Sequence, residues 1–443
     1  MRAVVAPLRR ALSRSLGPRA MGVPTPTLDL DFVRSTFHGL QGPLSSYITN
    51  SIAQEVPVIG GTTGVLRNVA VNGLHKQMYA SAAGVSKGWL AEPNNAIQAT
   101  RSEEFTNAFW TKNGCSAADA TSDVTDPLGT NRASKLTAAG AAVANADASK
   151  TLSNADKTIS MFVKAGSCTQ CALRAETDGA NTFVGQAWDL STGLEIAAGT
   201  SGITASTRKG IEAYANGWYR VWISHTLNGS ANQFRVDMME GSAIANNITA
   251  DRTLYVFGSQ FETYGYPTSY CVTAGSNVTR GNDFTITLAD ASWFNQTEGT
   301  VMVDAEPFNT AELVGSVGIL WSISPATTGT TNCCRLAHSA SSFRAQMGAG
   351  SGFNADAIAG TMASSFRAVV AYKTNDFRYQ FPGAAQAGDT ACDVPTSSTR
   401  FQIGEGTNDT ASDQFHGFIR RISYWPRRLN NDQITSLMNA GVS

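Results

Sequence analysis

Charge is scarce in this chain. Only 15 % of its 443 residues are Asp, Glu, Lys or Arg, well under the usual quarter, and the formal net charge is −1. That balance argues against a nucleic acid as the main partner, which would call for a basic surface. Long apolar runs are missing as well: none nears the ~18 residues that a membrane span needs. Histidine is rare, with five in the chain and none at the spacing of an HExxH metal motif. There is no GxSxG nucleophile elbow, and no glycine-rich phosphate loop ahead of a helix. Cysteine is sparse and odd in number: Cys115, Cys168, Cys171, Cys271, Cys333, Cys334 and Cys392 make seven. A short, Cys-dense secreted scaffold is therefore excluded. Cys168-Thr-Gln-Cys171 is a CxxC without a second pair at zinc-ribbon distance, so it reads as two ordinary thiols in a reducing cytoplasm. The same holds for vicinal Cys333-Cys334. No metal and no cofactor is expected.

Hydrophobic residues at 42 % suffice for real cores, and length alone suggests about three domains. The 41 glycines, with abundant Ala, Ser, Thr and Asn, favour many short strands over long helices. The first twenty residues stand apart, with five arginines and no acid. On a helical wheel Leu8, Leu12 and Leu16 fall on one arc and Arg9, Arg10 and Arg14 on the other. Gly17-Pro18 stops the helix, and two prolines in Val23-Pro-Thr-Pro26 make a stiff tether. Docking in a partner's groove, lying on a membrane, acting as a transit peptide and fraying in solvent all fit such a segment. Leu28, Leu30 and Phe32 alternate with Asp29 and Asp31, the pattern of an exposed strand or extended arm. Residues 1–40 thus read as a basic arm and tether, and 41–98 as a small irregular β region.

Regular period-2 runs begin near residue 99. Ile159, Met161 and Val163 alternate with polar neighbours, as do Tyr219, Val221 and Ile223, then Phe234, Val236 and Met238, then Leu254 and Val256. Bounded by Gly, Asn and Asp, and without crossover helices, these predict an antiparallel β-sandwich over 99–280. A second series over 281–443 carries Val301, Val303 and Ala305, then Ile319, Trp321 and Ile323, then Phe366, Ala368, Val370 and Tyr372. Strands are also read at Arg400–Gly404 and Gly417–Trp425. One short helix closes the chain, capped by Asn430 or Asn431, with Ile434, Leu437 and Met438 as its inner stripe and Gly441 at its end. The fold class read from the sequence is all-β: an N-terminal helical or extended anchoring arm, then two tandem antiparallel β-sandwiches.

Ser102-Glu-Glu-Phe-Thr-Asn-Ala-Phe-Trp-Thr-Lys112 resembles the "SEDFTNAAWTK" opening of a jelly-roll module common in bacteriophage tail and other virion proteins. Gly88-Trp-Leu-Ala-Glu-Pro-Asn-Asn95 is similar to that family's lead-in, although its "EARTN" stands here as Glu92-Pro-Asn-Asn. Ile159–Gly166, Asn216–Arg220, Phe257–Glu262 and Pro267–Arg280 follow in the family's order, so the resemblance spans about 88–282. Residues 415–437 resemble the last strand and closing helix of concanavalin A-like (laminin-G-like) lectin sandwiches. The resemblance implies a phage structural protein carrying a carbohydrate-binding-like jelly roll and then a lectin-like sandwich.

Asp304 and Glu306 stand two apart on one strand, as glycosidase carboxylates do in lectin folds, but Pro307-Phe308 occupy the place of a third carboxylate. They are expected to be exposed polar residues beside core valines, and no catalytic residue is expected. His416 is expected at the surface. Asp409 and Asp413 lack calcium-type spacing and read as a solvated loop. Sugar binding needs an exposed aromatic with amides or carboxylates beside it. Trp188, Trp218, Trp222, Trp321 and Trp425 read as core or seam. Phe353 and Asn354, set in Gly350-Ser-Gly-Phe-Asn354, are the ligand-binding candidates. The function expected is a non-enzymatic tail fibre or tail-tip protein of the virion, assembled in the host cytoplasm. Its arm would hold other virion proteins through Arg9, Arg10, Arg14, Leu8, Leu12 and Leu16, and homo-oligomeric copies would bind a host-surface glycan. A head fibre or capsid decoration protein is the alternative, and a polysaccharide depolymerase a third reading.

Overall fold

A computed structural model describes residues 22–442 apart from 43–47, 50–55, 61–64, 70–87, 93–94, 141–143, 151–156, 178–182, 197–202, 207, 227–231, 242–243, 245–247, 281–282, 290, 308–317, 326–331, 339–341, 351, 362 and 406–413. The protein is all-β and divides into two compact units. One comprises 1–50, 72–94 and 281–443; the other comprises 51–71 and 95–280. In sequence, the second unit is inserted into the first as two stretches, with 72–94 of the first between them. The docking candidates Leu8, Arg9, Arg10, Leu12, Arg14 and Leu16 lie outside the described residues.

The inserted unit is a sandwich of two largely antiparallel sheets. One has the order Arg208–Ala213, Trp218–His225, Lys157–Ala165, Thr253–Glu262, Ser134–Ala138, Cys115–Ala118. The other runs Leu194–Ile196, Phe183–Asp189, Gln170–Thr177, Asn232–Met239, Ala144–Lys150, Thr111–Asn113. Its core holds the alternating residues expected from the sequence: Ile159, Met161, Val163, Val221, Ile223, Phe234, Val236, Met238, Leu254 and Val256. Phe105 and Trp110 of the opening motif stack in that core with ring centres 4.5 Å apart.

The other unit is also a sandwich. One sheet has the order Thr36–His38, Leu28–Asp31, Gly417–Trp425, Glu298–Pro307, Phe366–Lys373, Phe377–Gln380, Ala387–Asp389. The facing sheet runs Ala355–Ala359, Phe343–Ala349, Asn332–His338, Gly318–Ser324, Arg400–Ile403, Asp283–Thr287, Ile48–Thr49. Val301, Val303, Phe366, Ala368 and Val370 meet Trp321, Ile323, Leu336, Met347 and Phe401 between them. A bulge between Ile319 and Trp321 breaks the strict alternation there, so Leu320, and not Ile319, joins this core. The closing helix Asn431–Asn439 is capped by Asn430 in a reciprocal capping box with Gln433, and it buries Ile434 and Leu437.

Two boundaries differ from the sequence reading. Residues 28–32 are not an exposed arm. The strand Leu28–Asp31 pairs antiparallel with Gly417–Trp425, and Leu28, Leu30 and Phe32 enter the core. The tether before it is pinned, with Trp425 Nε1 donating to the Pro24 carbonyl at 2.7 Å and Gln433 Nε2 to the Gly22 carbonyl at 2.9 Å. Of 41–98, Val56–Gly60 and Val65–Val69 form a two-stranded sheet of their own, whereas the strand Ile48–Thr49 pairs with Asp283–Thr287 and Trp89–Ala91 with Gly417–Trp425. Gly88 permits that approach. Its φ is +119°, and a Cβ there would sit 2.5 Å from the Ile419 carbonyl oxygen.

The outer face of the first sheet explains why the arm folds back. Register aligns Asp31, Arg421, Asp304 and Arg367 in one row across four strands, alternating in charge. Arg421 holds Asp29 through Nε and Nη2 at 2.8 and 2.6 Å, and Ser423 Oγ donates to the same carboxylate at 2.8 Å. Arg367 holds Asp304 through Nε and Nη2 at 2.6 Å each. Arg421 and Asp29 are both 1 % exposed. Removing one partner of such a pair leaves an uncompensated buried charge, which costs about 3–5 kcal/mol. Asp29→Ala is therefore expected to destabilise this unit by that order, read as a lower midpoint in urea unfolding. A fragment of 281–443 alone is expected to be insoluble or molten, whereas 22–443 folds. Native-like near-ultraviolet circular dichroism from 281–443 would contradict this assignment of the strand.

Candidate functional site

Alternation along three neighbouring strands builds a polar patch on the outer face of the second sheet of the terminal unit. In Asn332–His338, Cys334 and Leu336 point to the core, which sends Arg335 outward. In Phe343–Ala349, Phe343, Ala345 and Met347 face in, which puts Arg344 and Gln346 on the other face, where Gln346 is nonetheless covered to 1 % exposure. In Ala355–Ala359, Asp356 and Ile358 face out, and Ile358 is 65 % exposed. Register then sets Arg335 opposite Gln346 and Gln346 opposite Asp356. Arg335 Nε donates to Gln346 Oε1 at 2.8 Å. Arg344 grips Asp356 through Nε and Nη2 at 2.8 and 2.5 Å, and this hydrogen bonding holds the Asp356 carboxyl below its usual range.

The loop between the second and third of these strands returns over the patch. The Asn354 amide nitrogen donates to the Met347 carbonyl at 3.0 Å, which fixes the turn. Phe353 is half-buried, and the Arg335 guanidinium lies 4.9 Å from its ring centre. Asn354 is exposed, and its Nδ2 donates to Asp393 Oδ2 at 3.4 Å. The two ligand candidates thus sit together, beside two carboxylates and a guanidinium that the buried Gln346 amide holds in place. Such a patch offers an aromatic face with donors and acceptors around it, as a weakly held saccharide needs. Arg335 and Gln346 escaped the sequence reading because the strand pairing that joins them to Phe353 leaves no mark in sequence.

A second constellation, also missed, lies on the outer face of the inserted unit. Asp147, Arg235 and Arg174 are aligned in register across three strands. Arg235 Nε donates to Asp237 Oδ1 at 2.9 Å and its Nη1 to Glu176 Oε1 at 3.0 Å. Arg174 Nη2 also donates to Glu176, and its guanidinium lies 5.0 Å from the Phe183 ring centre. Asn113 Nδ2 donates to Asp147 Oδ2 at 2.6 Å. Asp237 and Asp147 are buried, and burial raises the pKa of both against the lowering effect of Arg235. The sequence signal was available: Arg235 and Asp237 are the polar halves of the Phe234, Val236, Met238 alternation.

The remaining candidates are not brought together as chemistry. Asp304 is wholly buried and ion-paired with Arg367, not an exposed neighbour of the core valines. Glu306 lies 3.4 Å from Arg420 Nη1, and a bulge falls between Asp304 and Ala305. His416 is likewise buried, not at the surface, at 3 % exposure. It precedes Gly417–Trp425, the strand that the sequence reading placed correctly and the sheet covers on both edges. Asp409 and Asp413 lie outside the described residues. All seven cysteines are unbridged, and burial pushes the Cys115 and Cys333 thiols up to about 11. Among the described residues no group of three or more His, Cys, Asp or Glu is placed to hold a metal ion. Nor is any helix among them long and apolar enough to cross a membrane.

No family model and no curated protein matches the chain. Solved structures do. The CBM40 of the Ruminococcus gnavus IT-sialidase bound to α2,3-sialyllactose is 13 % identical, with a TM-score of 0.29, over 35 % of this chain and 92 % of that one. The leech intramolecular trans-sialidase complexed with 2,7-anhydro-Neu5Ac is 12 % identical, with a TM-score of 0.29, over 36 % of this chain and 26 % of that one. A Trypanosoma rangeli sialidase is 14 % identical, with a TM-score of 0.29, over 37 % and 27 %.

The buried carboxylates of the inserted unit set a pH dependence. A raised folded-state pKa means that the folded protein binds more protons than the unfolded one, so this contribution to stability falls as pH rises above the ordinary aspartate value of 3.8. Asp237→Asn removes that penalty at its own position. The variant is expected to lose less stability than wild type as pH rises from about 3.8, measured by urea unfolding at each pH. An unchanged slope would show that Asp237 is ionised without penalty.

Proposed function

We propose that this chain is a non-catalytic attachment subunit of a bacteriophage virion, a tail fibre or tail-tip protein that binds a host-surface glycan. The observation that carries the glycan part is the Arg335–Phe353 patch, where a half-buried ring, an exposed amide and a charged ladder converge on one outward face. The virion part is supported by the sequence resemblance over about 88–282. The non-catalytic part is supported by Asp304, whose two oxygens are both taken by Arg367.

A patch on a sheet face is shallow, so one site has an affinity near millimolar, about −4 kcal/mol. Homo-oligomeric copies on one particle make later contacts intramolecular and can gain ~10²–10⁴ in avidity. The basic arm, with Leu8, Leu12 and Leu16 against Arg9, Arg10 and Arg14, is the proposed hold on other virion proteins.

The test uses the full chain displayed in many copies on beads. Host cells are expected to be captured, and Phe353→Ala with Asn354→Ala should lower capture tenfold or more while leaving the melting temperature within a degree or two. Equal capture by the double variant removes the patch from the reading. Phage adsorption unimpaired by antibody against this chain would move its role from the tail to the head fibre or capsid decoration.

A further inference from the structure

A cleft of about 640 Å³ opens at one end of the terminal unit, away from the Arg335–Phe353 patch in sequence and on the other sheet. Its walls come from the turn before Phe377–Gln380, from the loop after Ala387–Asp389 and from the first turn of the closing helix. The depression is wide open to solvent and every residue lining it is polar or charged, so it is not the enclosed, mostly apolar pocket of a drug-like ligand.

The floor is fixed and the rim is free. Arg428 spans the floor: its Nε and Nη2 lie 2.9 and 3.0 Å from the Asp376 carboxylate, and Nη2 also donates to Asn431 Oδ1 at 2.8 Å. That side chain is 10 % exposed. Arg378 is laid flat by Gly388, its register partner, where a Cβ would strike the Phe377 carbonyl oxygen and the guanidinium. Arg378 Nε is buried, 3.4 Å from Asp376 Oδ1, and makes no hydrogen bond. Asn375 stands in the left-handed region with φ 59°, the turn conformation that asparagine tolerates best after glycine. No hydrogen bond among the described residues engages the side chains of Asn375, Thr390 or Asp432.

We propose that this cleft, which unlike the Phe353 patch has no aromatic wall for a sugar ring to stack on, is a second saccharide site that takes one pyranose unit through hydrogen bonds to its hydroxyl groups alone. Each sugar hydroxyl donates once and accepts up to twice, so its receptor must interleave donors with acceptors. The Arg378 guanidinium donates, the Asp432 carboxylate accepts, and Asn375, Thr390 and Asn431 supply groups of both kinds. Two arginines and two aspartates leave no net charge. A free anion would meet an Arg428 already neutralised by Asp376 and an opposing Asp432. A divalent cation would find only two carboxylates, one of them committed to arginine. The site stands or falls independently of the Arg335–Phe353 patch.

Full-length ¹⁵N-labelled protein is titrated separately with galactose, glucose, mannose, N-acetylglucosamine and inorganic phosphate. At least one sugar is expected to shift the Arg378 Nε–Hε signal together with the Asn375 or Asn431 side-chain amides. Arg378→Gln should weaken that binding roughly tenfold or more, as loss of a charge-assisted hydrogen bond does. Should Arg378→Gln fail to fold, Asn375→Ala with Thr390→Val, both at exposed positions, makes the same test. Phe353→Ala with Asn354→Ala should leave these shifts intact, which separates this cleft from the patch. The proposal is overturned if no sugar moves these signals, if phosphate alone does, or if the cleft variants bind sugar as wild type does.

Discussion

A row of four buried charges, Asp31, Arg421, Asp304 and Arg367, crosses four strands of the terminal unit in strict alternation. The rest of that unit depends on it. Buried ion pairs add little net stability over a well-packed apolar core, because desolvation consumes most of the Coulombic gain. What they impose is a penalty on error. If Leu28–Asp31 were absent or slipped by one residue, Arg421 would face the low-dielectric layer without Asp29, and Leu28 and Leu30 would leave the core. The same row reaches the closing helix, because Arg367 Nη1 donates to the Leu437 carbonyl at 2.9 Å. One electrostatic constraint thus orders the N-terminal strand, the central strands and the C-terminal helix. Such a closure spans nearly the whole sequence, since Asp29 and Arg421 are 392 residues apart. The terminal unit can be completed only after the inserted unit has been synthesised.

That closure marks the limit of what the sequence could disclose. The strand at Phe366–Lys373 was legible from Phe366, Ala368, Val370 and Tyr372, all of which lie in the core. The helix was legible from its cap and its Ile434–Leu437 stripe. These are local signals, carried by side-chain period and capping chemistry. Leu28, Leu30 and Phe32 gave the same strand signal, but nothing local says that the partner strand begins at Gly417, so the segment read as an exposed arm. Asp304 shows the same blindness. Beside Val301 and Val303 it reads as a surface residue, and only the distant Arg367 makes its burial affordable.

The candidate sites divide along the same line. Phe353 and Asn354 stood out because small residues around an aromatic indicate a loop, and the loop is where they lie. Arg335 and Gln346 did not stand out, because an isolated arginine in a strand is unremarkable until register places it against an aromatic ring. The cleft floored by Arg428 was harder still. Its residues come from three separated stretches of sequence, and the glycine that orients Arg378 acts from a neighbouring strand.

Antiparallel alternation puts polar rows on every outward face of these sheets, so polarity alone does not identify a binding surface. The degree of internal satisfaction does. In the row through Arg421 and Asp304, charges answer charges in bidentate pairs, and burial shuts out any further partner. In the inserted unit, Arg174 and Arg235 converge on Glu176, while Asp237 keeps Oδ2 without a hydrogen bond, an intermediate case. Around Phe353 the ladder is interrupted by the neutral Gln346, and the side chains reach solvent at Asn354 and Ile358. Around Arg378 a buried Nε lies 3.4 Å from Asp376 without making a hydrogen bond, beside hydroxyl, amide and carboxylate groups that no hydrogen bond among the described residues engages. Passing from the first of these to the last, hydrogen-bonding capacity shifts from being spent within the protein to being held open at its surface. A ligand that binds through hydroxyl groups can use only the latter kind of face.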